Sequence, residues 1–349
     1  MEIQKAIEYL INKNSLSFQD MTKVMRSIMT GEATPSQIAG FLVALRIKGE
    51  TIDEIGAAAK VMRELATPVD VDGDFLVDIV GTGGDGAKLF NVSTASSFVS
   101  AAAGCLVAKH GNRSVSSSSG AADLLECAGI RLDLSPVEVA HCIDQVGVGF
   151  MFAQNHHSAM RYAIGTRKEL AIRTLFNILG PLTNPAGVKK QLLGVYSAEL
   201  VRPIAEVLKL LGSDHVMVVH SEDGLDEISI ARNTYVAELH NGTINEYILS
   251  PEDLGLQKSS IEGLSVKNAD ESYKLIKSVL MKNKKNSESV KDAASNMIAL
   301  NAGAAIYVSG KTNNLKNGVD LAQDIIASGL GYEKMNELVQ FTSALKPEN

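Results

Sequence analysis

The sequence predicts an α/β protein, with a small N-terminal helical domain followed by a larger α/β domain that has a mainly parallel central sheet. Two observations predict this class. Residues 1 to about 70 space their apolar side chains as helices do, whereas from Phe75 onward strand-like and helix-like segments alternate. We therefore assign residues 1–72 to the helical domain and 73–349 to the α/β domain. A helical insert at about 169–190 is expected to pack on the helical domain.

The N-terminal segment contains no strand pattern. Its first apolar residues recur at helical spacing, and so do the clusters that follow, around 21–28 and 38–45. Thr34 followed by Pro35 is a helix cap with proline at the first helical position. We expect helices only in this part of the chain.

The alternating part begins with three predicted strands, FLVDIV, CLVAKH and IRLDL. Helices are predicted between and after them at 93–103, 121–128 and from a capping box at Ser135–Glu138. This βαβα order implies parallel strands with right-handed crossovers. After a helical interlude at about 158–183, QLLGVYS and HVMVVHS resume the strands, with a helix at 200–211 between them. Asn241–Gly242 predicts a type I′ hairpin turn between TYVAELH and TINEYIL.

Composition excludes several classes of protein. The formal net charge of -7 argues against a general nucleic-acid binder, which needs a basic surface for the phosphate backbone. No run of 18 apolar residues could span a membrane. Cys105, Cys127 and Cys142 form no C-x-x-C motif and indicate free thiols in a reducing compartment. We therefore expect a soluble, cytoplasmic protein.

The first loop, GTGGDG at 81–86, fits the dinucleotide fingerprint G-x-G-x-x-G. That fingerprint needs a helix directly after the loop and an acid about 20 residues later. Here the polar segment 88–94 intervenes, and the next strand ends in Lys109 and His110, so a nicotinamide cofactor is disfavoured. Backbone N–H groups with Ser93 and Thr94 at a helix start form an anion site instead.

A second loop, KHGNRSVSSSSG, follows the next strand. Lys109 and Arg113 supply positive charge, Asn112 an amide, and the serines hydroxyls. A flexible Ser-rich linker is the alternative, but basic residues and a helix flank this segment directly. Because carboxyl ends of parallel strands share one edge, the two loops predict a ligand with more than one phosphate group.

Two further segments carry charge. Asp226 and Glu227 stand side by side in a turn after a strand, where they can share Mg²⁺ with substrate phosphates, although such a pair alone is usually surface. The segment 152–185 clusters basic residues, Arg167 among them. Its His156–His157 pair lacks the spacing of a helical zinc site, which favours hydrogen bonding or packing.

Taken in order, GTGGDG…FNVST, KHGNRSVSS…ADLLE, RKELAIRTLFNILGPLTNP and DGLDE closely resemble the anthranilate phosphoribosyltransferase family, over essentially the whole chain. The resemblance implies a nucleoside phosphorylase-like fold, a homodimer, Mg²⁺ as cofactor, and a step of tryptophan biosynthesis. In that step, anthranilate and phosphoribosyl pyrophosphate give N-(5-phosphoribosyl)anthranilate and pyrophosphate. Neither a nucleic acid nor a membrane is an implied partner.

The resemblance also implies site residues. Anthranilate contacts are Gly81, Asn112 and Arg167, and metal ligands are Ser93, Asp226 and Glu227. The phosphoribosyl pyrophosphate site comprises Gly81, Gly84, Asp85, Asn91, Ser93, Thr94, Lys109, His110, Gly111, Asn112, Arg113, Ser114, Val115, Ser116, Ser117 and Ala121. No general base is assigned, because an aromatic amine is already neutral at pH 7.

The sequence departs from the usual family pattern in several places. Leu89 stands where a hydroxyl residue is usual, Gln154 and Ser158 replace prolines, Gly165–Thr166 replaces Pro-Val, and Ala121 occupies a frequent serine position. None of these changes removes a charged or metal-binding group, but the shape of the acceptor channel can differ.

Two rival functions share the architecture. A pyrimidine-nucleoside phosphorylase has a related GTGG loop, but binds one phosphate and does not need the acid pair. A non-catalytic, nucleic-acid-binding relative should have a basic surface and eroded loops, whereas the sequence pI is about 5.6. The sequence favours the transferase.

Overall fold

The computed structural model describes residues 1–114, 119–281 and 289–345. Four helices open the chain: α1 Ile3–Ile11, α2 Phe18–Met29, α3 Pro35–Lys48 and α4 Ile52–Leu65. The Thr34 side chain accepts a hydrogen bond from the Gln37 N–H and closes a capping box, with Pro35 at the first helical position. The prediction of an N-terminal segment of helices is confirmed.

The remaining chain forms one seven-stranded sheet with helices around it. The strands are β1 Leu76–Gly81, β2 Leu106–Gly111, β3 Val148–Phe152, β4 Lys190–Gly194, β5 His215–Ser221, β6 Thr234–His240 and β7 Thr243–Leu249. The longer helices are α5 Val92–Ala102, α6 Ala121–Cys127, α7 Pro136–Val146, α9 Arg161–Leu170, α11 Val201–Leu210, α12 Ala269–Leu280, α13 Ser289–Ser309, α14 Leu315–Ser328 and α15 Leu330–Ala344. Two single-turn helices, α8 Ala153–His156 and α10 Phe176–Leu179, flank α9. Among the described residues, no helix is long and apolar enough to cross a membrane.

The strand order is β3-β2-β1-β4-β5-β6-β7. The first five strands are parallel, and β6 and β7 are antiparallel additions at one edge. The order reverses at β1, which lies between β2 and β4. In parallel sheets such a reversal opens a crevice at the carboxyl ends of the strands, where ligands bind. The prediction of a mainly parallel sheet is confirmed.

One predicted strand is wrong. IRLDL, residues 130–134, buries alternate side chains but pairs with no strand, and its Arg131 N–H donates to the Thr342 hydroxyl of α15 at 3.4 Å. The edge of β2 is taken by VGFMF of β3, with Lys109 paired to Phe150. Both segments are apolar and short, so local propensity could not decide which of them would pair with β2.

The predicted hairpin is confirmed. β6 and β7 pair in register up to His240 opposite Thr243, and the two turn residues Asn241 and Gly242 have φ of 51° and 75°. Both values are positive, as a type I′ turn requires.

The N-terminal helices share their core with the sheet. α9 lies against α2 and α3, and α11 lies against α4. Leu175 and Phe176 bury their side chains in the same apolar cluster as the inner faces of α1–α4, which continues to Leu193 on β4 and Val218 on β5. This packing holds the segment 161–182 against the sheet and the N-terminal helices, and its Arg173 donates to the Gly84 carbonyl in the loop after β1.

A buried ion pair links α3 and α4. Lys48 Nζ lies 2.7 Å from Glu54 Oε2, and both side chains are at most 5% exposed. Glu54 also accepts the Leu16 N–H at 2.8 Å. Because removal of one partner leaves an uncompensated buried charge, we expect Glu54→Ala to lower the free energy of unfolding by about 3–5 kcal/mol. Urea unfolding measures this change. The control, Glu64→Ala, removes half-exposed pairs and should cost about 1 kcal/mol or less. Equal losses in the two variants would contradict the prediction.

Candidate active site

The first loop joins β1 to α5. Gly83, Gly84 and Gly86 have φ of 65°, 83° and 77°, a left-handed conformation that disfavours side chains. No side chain caps the N-terminus of α5, so the Ser93 hydroxyl in its first turn is not used for capping. Thr94 Oγ1 is buried without a hydrogen-bond partner among the described residues. The left-handed glycines, the start of α5 without a side-chain cap and the unsatisfied Thr94 hydroxyl are features of an anion site.

Lys109 connects the two loops. It is buried at the end of β2, and its Nζ donates to the Ile79 carbonyl at 2.6 Å and to Ser93 Oγ at 3.3 Å. Burial lowers the pKa of Lys109, whereas the nearby charges of Asp78 and Glu227 act in the opposite direction. The ammonium thus lies beneath the start of α5, close to the position predicted for a phosphate.

Asp226 and Glu227 come to the same place from the turn after β5. The Asp226 carboxylate accepts the Gly83 N–H at 2.7 Å, and the Glu227 carboxylate accepts the backbone N–H of Ser93. Asp85 of the first loop lies beside Asp226. Burial, and then the Asp85 charge, raise the pKa of Asp226 to about 6, and burial with Asp226 raises the pKa of Glu227 well above its ordinary value.

The sequence assigned these two acids to a metal site, although an acidic pair in a turn is by itself usually at the surface. In the structure both side chains are half-buried. Three carboxylates close together in a partly dry crevice repel one another unless a cation is present. Together with the adjacent Ser93 hydroxyl, these oxygen donors fit Mg²⁺, which prefers carboxylates and substrate phosphates.

Two glycines create the space for this arrangement. A Cβ on Gly81 would lie 2.4 Å from Asp226 Oδ2, and one on Gly194 would lie 1.5 Å from the Asp226 carbonyl oxygen. Gly81 and Gly194 are register partners on β1 and β4. Any larger residue would displace the turn that carries the two acids, so these glycines are required for close approach.

The second loop is only partly described, because Val115, Ser116 and Ser117 lie outside the described residues. Asn112 is exposed and accepts the Arg113 N–H at 2.8 Å, and Gly111 and Ala121 frame the loop. Ser114 donates its N–H to Asp123 at 3.1 Å.

Arg113 is paired with acids of the same chain in this structure. The sequence assigned it to the phosphoribosyl pyrophosphate site as a source of positive charge. In the structure, Arg113 pairs with Asp123 at 3.1 Å and with Glu126 at 2.5 Å, and lies 5.6 Å from the Phe152 ring centroid. The two acids of α6 neutralise its charge in this conformation, a long-range pairing that the spacing of the residues did not indicate.

Arg167 lies on α9, six residues before Arg173, which donates to the Gly84 carbonyl of the first loop. Arg167 is half-buried, lies 5.2 Å from the Phe176 ring centroid, and forms no ion pair with a carboxylate of the described residues, Glu169 included. Burial lowers its pKa. A half-buried guanidinium without a counter-charge is a candidate site for a carboxylate ligand.

Three buried histidines, His110, His156 and His157, lie close together near the segment that carries Arg167. His110 and His157 have ring centroids 5.1 Å apart, and His156 Nδ1 lies 3.0 Å from the Thr67 carbonyl oxygen. Burial lowers the pKa of His110 to about 3 and that of His157 to about 4. His110 and His157 therefore stay uncharged at neutral pH, and they contact their neighbours by packing and hydrogen bonding.

Two supporting residues, Arg173 and Asp78, were not assigned from the sequence, and a third, Asn91, was. Arg173 donates to the Gly84 carbonyl and lies 4.4 Å from the Tyr196 ring centroid, so it holds the first loop. Asp78, buried in β1, accepts the His110 N–H at 3.3 Å and the Asn184 amide at 2.8 Å. An acid within the apolar run LVDIV was the signal that could have identified Asp78. Asn91 is oriented by Ser119 at 2.8 Å and Ser272 at 2.7 Å.

The fold and site define a class of protein first. A glycine loop, a basic strand end and a carboxylate cluster at a sheet crevice suit a phosphorylated sugar donor and its metal. Two family models agree with this class: the helical bundle domain of a glycosyl transferase family matches residues 4–66, and the a/b domain of that family matches residues 73–332.

Similar individual proteins identify one family within this class of glycosyl transferases. The anthranilate phosphoribosyltransferase of Cellvibrio japonicus is 60% identical over 346 residues, which cover 99% of this chain and 100% of the relative. The solved Thermus thermophilus enzyme is 43% identical, with a TM-score of 0.90 over 97% of this chain and 99% of its own. The Saccharomyces cerevisiae enzyme is similar in two structures. Its complex with phosphoribosyl pyrophosphate and magnesium has 28% identity and a TM-score of 0.88, and its complex with 4-fluoroanthranilate has 27% and 0.87; each match covers 98% of both chains. The chain belongs to the anthranilate phosphoribosyltransferase family.

Proposed function

We propose that this site transfers the 5-phosphoribosyl group of phosphoribosyl pyrophosphate to the amine of anthranilate, a step of tryptophan biosynthesis. One observation carries the proposal. The glycine loop, Lys109 and the acids Asp226 and Glu227 meet at the carboxyl ends of β1 and β2, where Asp226 accepts the Gly83 N–H, Glu227 accepts the Ser93 N–H and Lys109 donates to the Ser93 hydroxyl. The Saccharomyces cerevisiae relative binds phosphoribosyl pyrophosphate with magnesium in one structure and 4-fluoroanthranilate in another.

The donor occupies the crevice between the two loops. Backbone N–H groups of the first loop, the Asn91, Ser93 and Thr94 region and Lys109 bind its phosphate groups. Ser93, Asp226 and Glu227 would hold Mg²⁺, which would supply positive charge to stabilise the departing pyrophosphate. His110, Gly111, Asn112, Arg113 and Ser114 of the second loop contact the donor.

The acceptor lies above the donor. The guanidinium of Arg167 holds the carboxylate of anthranilate, with Asn112 and Gly81 on the opposite side. The amine lone pair forms the bond to C1 of the ribose, while the C1–O bond breaks and its electrons stay with pyrophosphate. The proton that the product nitrogen loses goes to solvent, and no general base is assigned. Rate acceleration comes from positioning and electrostatic stabilisation.

The proposal is tested by following anthranilate fluorescence after the enzyme is mixed with Mg²⁺ and phosphoribosyl pyrophosphate. We expect a loss of fluorescence that requires all three components, with one pyrophosphate released per anthranilate consumed. A reaction of pyrimidine nucleosides with inorganic phosphate, and none with anthranilate, would instead identify a nucleoside phosphorylase and overturn the proposal.

We also propose that two copies assemble through the N-terminal helices. Ile11 and Ile47, on neighbouring helices α1 and α3, are 67% and 76% exposed, and a second copy would remove this apolar surface from water. Sedimentation should give about twice the 37.2 kDa chain mass. Ile47→Asp should shift the protein towards a monomer, whereas Val137→Asp, at a 64% exposed position on α7, should not. A monomeric wild-type protein at micromolar concentration would refute the assembly.

Two further aspects of organisation follow. We propose a domain boundary near residue 72, with an insert at about 169–190 that belongs to the helical domain. Leu175, Phe176 and Leu182 of this insert pack in the core of α1–α4, whereas Val188 packs in the core of the sheet. The two family models meet between 66 and 73. We propose a cytoplasmic location, because the three cysteines are free thiols, as a reducing compartment favours.

A further inference from the structure

A second cluster of metal-ligating side chains lies far from the reaction site. His215 begins β5, His240 ends β6, and the two are direct register partners in the sheet. Glu238 lies two residues before His240 and therefore on the same face of β6. One ligand atom from each of the three residues lies within 4.8 Å of the others, and it is the one such group of three among the described residues.

The three side chains are held in place by their surroundings. His215 Nε2 lies 2.9 Å from Glu238 Oε1, and the His215 and His240 rings stack with centroids 4.1 Å apart. Glu238 accepts hydrogen bonds from the hydroxyls of Tyr247 and Tyr307, each at 2.8 Å. Hydrogen bonds of this kind to a ligating carboxylate fix its orientation and support metal affinity.

The chemical types of the three ligand atoms indicate which metal ion the site prefers. Two imidazoles and one carboxylate suit Zn²⁺, with Zn–N and Zn–O distances of about 2.0–2.2 Å and an open fourth position for water. Tetrahedral ligands at that range lie about 3.3 Å apart, close to the His215–Glu238 separation of 2.9 Å. Mg²⁺ prefers oxygen donors only and is a poor competitor here. His240 is exposed, so its ring can adjust and the ion can enter from solvent.

We propose that His215, Glu238 and His240 form a zinc site that ties β5 to the antiparallel β6–β7 hairpin. The ion takes the place of the proton between His215 and Glu238, which is released to solvent. The site lies at the amino end of β5, whereas Asp226 follows its carboxyl end, about 20 Å away for a seven-residue strand. The ion therefore has a structural role only and takes no part in phosphoribosyl transfer.

The test is Zn²⁺ titration of the full chain after chelator treatment, in excess Mg²⁺ so that the acids of the active site are occupied. We expect one tight Zn²⁺ per chain, and a thermal midpoint that rises with Zn²⁺. His240→Ala should weaken binding by more than about 100-fold, and Tyr247→Phe by about 10-fold, since loss of an outer hydrogen bond alone costs about 10- to 100-fold.

The matched control is His141→Ala, which removes an exposed histidine of α7 and should leave Zn²⁺ binding unchanged. His240→Ala changes an exposed residue, so its folding is not at risk, and its transferase activity in Mg²⁺ should equal that of the wild type. Zn²⁺ affinity that is equal in His240→Ala and wild type would overturn the proposal. So would the absence of any stoichiometric Zn²⁺ binding by the wild-type chain.

Discussion

Asp226→Asn is expected to lower kcat/KM by about 100-fold or more at limiting Mg²⁺, since a metal ion supplies several kcal/mol of charge stabilisation and each 1.36 kcal/mol is tenfold. The same change should stabilise the metal-free protein. Burial and the Asp85 charge raise the pKa of Asp226 to about 6, so its ionised form is disfavoured in the folded state. The substitution removes that penalty.

The pH dependence of stability shows whether the ionised Asp226 carboxylate raises or lowers the free energy of unfolding. A carboxyl with a folded pKa of about 6, compared with an ordinary 3.8, holds its proton more tightly in the folded state. Its contribution to stability is complete below about pH 4 and is lost as the pH rises to about 6. At pH 8 we therefore expect metal-free Asp226→Asn to exceed the wild type by about 1–3 kcal/mol in free energy of unfolding.

Urea unfolding with and without Mg²⁺ checks this prediction. Mg²⁺ should stabilise the wild type and have little effect on Asp226→Asn. The control is Glu222→Gln, an exposed acid in the same turn, which should change neither activity nor the effect of Mg²⁺. An undiminished Mg²⁺ dependence of activity in Asp226→Asn would show that this carboxylate is not a ligand.

Arg167→Ala is expected to lower kcat/KM for anthranilate by about 10- to 150-fold, since a charge-assisted hydrogen bond contributes about 1.5–3 kcal/mol. The structure strengthens the case for Arg167, because its guanidinium is half-buried, packs on Phe176 and has no carboxylate partner among the described residues. The carboxylate of the acceptor would supply the missing counter-charge. Arginine also offers a planar fork that matches a carboxylate with two parallel bonds.

Steady-state kinetics with each substrate varied in turn tests this role. The KM for phosphoribosyl pyrophosphate should change little, because the first loop and Lys109 are untouched. Arg167→Lys should recover only part of the loss, and the exposed neighbour Lys168→Ala should behave as the wild type. If Arg167→Ala loses phosphoribosyl pyrophosphate binding and keeps its KM for anthranilate, Arg167 belongs to the donor site.

Signals that are local in the chain were predictable. The Ser135 capping box, the Asn241–Gly242 turn and the helices after each glycine loop depend on neighbouring residues only, and the structure contains them. The edge at which the loops meet also followed from the sequence, because parallel strands place their carboxyl ends together.

Signals that depend on distant partners were not predictable in the same way. VGFMF pairs with β2, whereas IRLDL contacts α15 instead, and both contacts join segments that lie far apart in the chain. The pairing of Arg113 with Glu126 depends on the angle at which α6 leaves the loop.

The sequence by itself determined the class of fold, the order of the elements, the family and the residue types available for an anion and a metal. Only the tertiary structure decided which of those groups are buried from solvent and which have a counter-charge. The sequence placed Asp226 and Glu227 in a turn, but only the structure shows that Gly81 and Gly194 leave room for that turn and that both side chains are half-buried. The physical reason is that burial and the distances between charges arise from residues that lie far apart in the chain, and these set each pKa and each free counter-charge.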